Sequence, residues 1–226
     1  MTKLLVIGQP AAADPNAIQE LVANKVANGR MIVARCGRPD ELPAIVEGVS
    51  RAEGPIDTLE LFDHGGPGVL KMGSATLFRS DARPDTRLEG FEIARRIAPF
   101  LTSNAQIRLV GCHTAGLAAD EREALVLGQE GRYLLLKLAL ELGAHRIVSG
   151  TIQATDDDNF DRSGFIGDTA YLYSSLAALD YPPPDETRRD NSIAELLKDY
   201  CAMTPDSIGC KRMAATSRRR RSESRS

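Results

Sequence analysis

Five short apolar runs, at residues 4–7, 31–34, 59–62, 107–110 and 146–149, limit this chain to a small set of folds. Each is too brief for a helix and reads as a strand buried on both faces. The stretches between them, at 17–26, 41–49, 88–100 and 133–142, place apolar residues at helical spacing. Strands that alternate with helices predict an α/β fold: a three-layer sandwich with a mostly parallel central sheet and helices on both faces.

The rhythm breaks twice. Residues 69–78 straddle Gly73 and Ser74 like a small hairpin leaving the end of the third strand. After Gly150 comes an acidic loop, TDDDNFDRSGFIGDT, and loops of that length inside compact domains are usually either functional or disordered. Residues 191–200 read as a last helix, with Asp190 or Ser192 as its cap. The expected organisation is one domain over residues 1–211 and an Arg/Ser-rich disordered tail over 212–226.

Composition narrows the setting. No apolar run reaches membrane-spanning length and the start is too quickly polar for a signal peptide, so the expected location is cytoplasmic, without a membrane partner. Cys36, Cys112, Cys201 and Cys210 form no CxxC pair and do not cluster with the three histidines, so no metal or organic cofactor is expected. The last nine residues carry five arginines and one glutamate, about +4, so a total of −3 leaves roughly −7 on the body. Such a tail is most often a solvated end, with nucleic-acid binding the exception. Oligomeric state is not legible.

Two residues that end buried strands stand out: His64 in LELFDHGGPG and Cys112 in IRLVGCHTAG. In an open parallel sheet, ligands bind at the carboxyl ends of the strands, so both belong to one rim. An imidazole beside a thiol takes its proton and makes the thiolate nucleophile. The amide N–H groups of Gly65 and Cys112 are candidate oxyanion donors. Asp63 is read as a turn or hydrogen-bonding residue rather than a third catalytic member, His113 as structural, and His145 as a surface group.

HGGPGVLKMG, VGCHTAG and LGAHRIVSGT together resemble the caspase-like (clan CD) cysteine peptidases, and within them the CHAT-like and neighbouring bacterial branches. In that family a hydrophobic strand ends in His-Gly and a later one in the nucleophilic Cys, and the 48-residue separation of His64 from Cys112 matches the family's spacing of about 50. The resemblance implies a caspase-like fold and a cysteine endopeptidase, with Cys112 as nucleophile, His64 as base and then acid, and a protein or peptide substrate. Defence or regulated cell death would be its bacterial setting. Asp156, Asp158 and Asp161 in the acidic loop are the candidate substrate-binding carboxylates for a basic side chain. The rival reading is a catalytically silent caspase-fold module for partner recognition or assembly. The HGGPG turn is not a Walker sequence, which counts against a nucleotide site.

Overall fold

The five apolar runs become the parallel strands of one sheet. A computed structural model describes residues 1–9, 17–27, 29–79, 89–115, 130–143 and 145–173. Strands β1 (Thr2–Gly8), β2 (Ile32–Cys36), β3 (Ile56–Phe62), β7 (Leu101–Val110) and β8 (Ile147–Thr151) lie parallel, and β11 (Thr169–Tyr173) closes one edge antiparallel to β8. Spatial order is β2–β1–β3–β7–β8–β11. Counting the parallel strands alone gives 2-1-3-4-5, a doubly wound arrangement whose order reverses between β1 and β3. The hairpin expected around Gly73 is present as β5 (Val69–Met72) and β6 (Ala75–Arg79), joined by the two-residue β4 (Gly65–Gly66) into a separate small sheet.

Alternation along each strand sends successive side chains to opposite faces, and both faces are apolar. Leu4, Val6, Leu59, Leu61, Ile107 and Leu109 meet helices α2 (Leu42–Glu53), α3 (Glu89–Ile97) and α4 (Glu130–Leu142) on one side. Leu134, Leu135, Leu136, Leu138 and Leu142 of α4 are all buried. At about 1.5–3 kcal/mol per buried leucine, packing rather than propensity holds this helix. Gly143 ends it at φ 60°, a left-handed conformation suited to glycine.

The opposite face carries α1 (Ile18–Val26) alone among the described helices. Val22, Ala23 and Val26 cover Leu5, Ile7, Phe62 and Val110 there. The acidic loop after β8 completes this layer, inserting Phe160 edge-on to Phe62 at 4.8 Å and to Phe165 at 5.4 Å. It includes a short hairpin of β9 (Phe160–Asp161) and β10 (Gly164–Phe165). No helix among the described residues is long and apolar enough to cross a membrane.

Candidate functional site

The order reversal between β1 and β3 is where a doubly wound sheet ordinarily opens for a ligand. Here that crevice is filled. A Cβ on Gly8, at the end of β1, would fall 1.8 Å from Oδ2 of Asp63. The buried Asp63 carboxylate accepts hydrogen bonds from its neighbour His64 N (2.7 Å), from Gln19 Nε2 of α1 (3.1 Å) and from Gly73 N at the hairpin tip (2.6 Å). Gly73 in turn rests on the residue after β2, since a Cβ on it would lie 1.9 Å from Gly37 O. The small sheet therefore folds back over β1 and β2 and plugs the usual crevice, with Asp63 as its anchor.

The rim next to it, over the ends of β3 and β7, brings the sequence candidates onto touching loops. Asp63 N donates to Val110 O at 3.2 Å. A Cβ on Gly65 would sit 2.8 Å from Thr114 Cγ2 and 3.1 Å from the Gly111 carbonyl carbon, and one on Gly111 would sit 2.7 Å from Asp63 O. Glycine at both positions lets the two backbones meet. His64 is exposed and Cys112 half-buried. The Cys112 thiol donates a long bond, 3.9 Å, to Thr155 O, and no hydrogen bond joins it to the His64 ring among the described residues. Lys71 N donates to His64 O, which makes Gly65 and Leu70 a non-hydrogen-bonded pair and leaves the Gly65 N–H outside the ladder. The Cys112 N–H has no partner among the described residues either, whereas His113 N donates to Gln153 O and Thr114 N to Gly111 O.

Threonines that the sequence did not single out hold this rim in place. Thr114 Oγ1 donates to Leu109 O (2.8 Å), accepts from Thr151 N (2.9 Å) and lies 3.1 Å from Thr151 Oγ1. Thr151 Oγ1 also donates to Gly111 O. The turn forces His113 to φ 54°, strained for a side-chain-bearing residue, and its Nδ1 lies 3.2 Å from Ile152 O. Thr155 Oγ1, buried beside the thiol, has no hydrogen-bond partner among the described residues. A single threonine in an acidic loop gives no signal in sequence; its position depends on the loop returning over β7.

The acidic residues nominated for substrate binding are used elsewhere. Asp156 caps its own turn by accepting from Asp158 N at 3.1 Å. Asp158 and Asp157 pair with Lys25 at the end of α1, at 3.2 and 2.7 Å. That pairing lowers the Asp157 pKa and raises that of Lys25. Asp161 accepts from the Ser163 amide and hydroxyl, at 2.6 and 2.5 Å, and is held below the usual carboxylate range by the hydroxyl first. Cys36 is buried, and desolvation pushes its thiol up to about 11. Cys201, Cys210, the expected helix at 191–200 and the arginine tail lie outside the described residues.

No family model matches this chain and no curated protein matches it. Several solved structures do. A double mutant of a Serratia marcescens short-chain dehydrogenase/reductase is 11% identical, with 64% of this chain and 75% of that one covered at a TM-score of 0.34. The Bacillus cereus enoyl-acyl carrier protein reductase with NADP+ is 16% identical over 62% and 67%, at 0.31. The NADH-type enoyl reductase of Aquifex aeolicus VF5 is 13% identical over 70% and 84%, at 0.33. These are dehydrogenases and reductases and not caspase-like peptidases. The caspase-like fold family, the cysteine endopeptidase with its peptide substrate, and the silent caspase-fold module are therefore corrected. Physically, the three carboxylates nominated for a basic side chain already hold a cap, a lysine and a turn.

At such scores the likeness assigns no activity, and the sequence after β1 lacks a dinucleotide-binding fingerprint. After β1 the sequence runs Gly8-Gln9-Pro10-Ala11-Ala12-Ala13, without the Gly-x-Gly-x-x-Gly turn that lets a backbone approach a pyrophosphate. The Asp63 carboxylate and the Gly73 turn fill the crevice such a group would enter, and the carboxylate would repel it. What the chain does present is a half-buried thiol on the neighbouring rim, with an exposed imidazole on the adjoining loop and two backbone donors that have no partner among the described residues.

Proposed function

We propose that the protein binds a small acyl-bearing molecule at the carboxyl rim between β3 and β7 and takes up its acyl group on Cys112. The observation that carries this reading is a pair of N–H groups, at Gly65 and Cys112, without a partner among the described residues, on two loops in backbone contact beside a half-buried thiol. His64 accepts the thiol proton, and sulfur attacks the carbonyl carbon. The carbonyl electron pair moves onto oxygen, where the two N–H groups meet the developing charge. Collapse of that adduct expels the leaving group, which takes the proton back from His64 and leaves the acyl group on sulfur. The Thr155 hydroxyl, buried without a partner among the described residues, is a further hydrogen-bonding group for the ligand. A cytoplasmic location accords with this reading, since Cys36 and Cys112 are both free thiols.

Incubation with a short acyl thioester, read by intact-mass and peptide mass spectrometry, tests it. One acyl group should appear at Cys112, vanish in Cys112→Ala, and form about 100-fold more slowly in His64→Ala. Cys36, with its pKa raised to about 11, should stay unmodified at neutral pH. Acylation spread evenly over the cysteines, or an unchanged rate in His64→Ala, would overturn the proposal.

A further inference from the structure

The opposite end of the sheet carries a second feature that the rim chemistry leaves unused. A cleft of about 280 Å³ opens at the amino ends of β1, β3 and β7. Strand register sets Lys3, Thr58 and Gln106 side by side across the three strands, and all three line the cleft. They occupy the same face as Leu5, Ile7, Phe62 and Val110, where central parallel strands are normally apolar. Three polar residues in one row of a central sheet break the local rule, and such breaks concentrate at functional sites.

Most of the acidic capacity there is already engaged. Glu60, one row deeper, receives Arg108 Nη1 on one oxygen at 2.9 Å and Phe165 N on the other at 2.9 Å. Asp57 Oδ2 accepts from Thr2 N at 2.7 Å. Lys3 has neither a hydrogen bond nor an ion pair among the described residues, although it lies close enough to favour the charged form of Glu60. The cleft therefore offers an ammonium without a hydrogen bond or ion pair among the described residues, flanked by a hydroxyl and a carboxamide, with the Arg108 guanidinium behind them.

The geometry points to a binding site for a small oxyanion-bearing polar molecule, a phosphate ester or a carboxylate, seated on Lys3, Thr58 and Gln106. Lys3 supplies the charge, and the Thr58 hydroxyl and Gln106 amide fix orientation. This site is independent of the Cys112 rim, which lies at the other end of the strands.

Titration of the full chain with inorganic phosphate and, separately, with acetate at constant ionic strength, followed by ¹H–¹⁵N spectra, tests it. The amides of Lys3, Thr58, Gln106 and Ser163 should shift saturably with at least one anion. Preference for phosphate would identify a phosphate ester as the ligand class, and preference for acetate a carboxylate. Lys3→Gln should weaken binding at least tenfold, Lys3→Arg should retain it, and Gln106→Met should weaken it about threefold. Shifts that fail to saturate with both anions, or equal affinity in Lys3→Gln, would overturn the inference.

Discussion

Glu60 has its side chain almost fully buried between Arg108 and the Phe165 amide, and Gly164 is the residue that permits this. At φ 105° Gly164 adopts a conformation that side-chain-bearing residues rarely take, and a Cβ there would lie 2.6 Å from Glu60 Oε2. Desolvation dominates the balance at Glu60 and raises its pKa, against the lowering effects of the Phe165 amide and Arg108. A carboxyl whose native pKa lies above its unfolded value binds its proton more tightly when folded. Its ionisation therefore costs stability, and the cost grows as pH rises from the ordinary glutamate range through the raised native value. Glu60→Gln keeps an acceptor near Arg108 but cannot ionise. Urea unfolding at a series of pH values should show Glu60→Gln gaining stability relative to wild type as pH rises through that window. A difference that stays flat would mean that the pairing with Arg108 and the Phe165 amide cancels desolvation, and one that runs the other way that it outweighs it.

Among the elements, the hairpin of β5 and β6 decides where a ligand can enter. Its tip residue Gly73 sits at φ 62° with Gly37 O against the face a Cβ would occupy, and its amide holds Asp63. Gly73→Ala should therefore cost about 1–3 kcal/mol from backbone strain alone, with the clash added. Hydrogen exchange should speed up at Gly73 and Ser74 while the central strands stay protected; uniform acceleration across the sheet would place the damage in the global fold instead. The hairpin itself was legible, because VLKMG and ATLF flank a Gly-Ser turn. Its docking onto β1 and β2 was not, since that rests on Asp63 and Gly37, two ordinary turn residues whose meeting depends on strand order. For the same reason His64 and Cys112 stood out as strand-end residues, whereas Thr114, Thr151 and Thr155 did not. The amino halves of β3 and β7 were also missed. Asp57, Thr58, Asn104 and Gln106 precede the apolar runs there, and they are among the residues that line the amino-end cleft.

For the molecule as a whole, the apolar runs made the parallel sheet and its helical layers readable, yet they say nothing about how the layers are tied at the sheet's amino end. Arg146 does that work. It is buried just before β8, and its guanidinium donates to Thr102 O (3.1 Å), Ala98 O (2.8 Å), Leu101 O (3.2 Å), Gly143 O (3.5 Å) and Leu142 O. Those carbonyls belong to the turn after α3, the start of β7 and the end of α4, so one side chain joins three elements through their backbone acceptors. Burial lowers the Arg146 pKa, but a guanidinium stays charged throughout the working range, and the carbonyl dipoles at the α4 terminus favour that charge. Arg146→Met keeps most of the volume and strands the carbonyls, which should cost about 3 kcal/mol. Arg146→Lys supplies a charge but not the planar fork that reaches several acceptors at once, and should fall between wild type and Arg146→Met. Urea unfolding of the three proteins at neutral pH measures the order. If Arg146→Met stays within about 0.5 kcal/mol of wild type, the range of an ordinary surface change, the carbonyls find other partners and the layers are held by apolar packing alone.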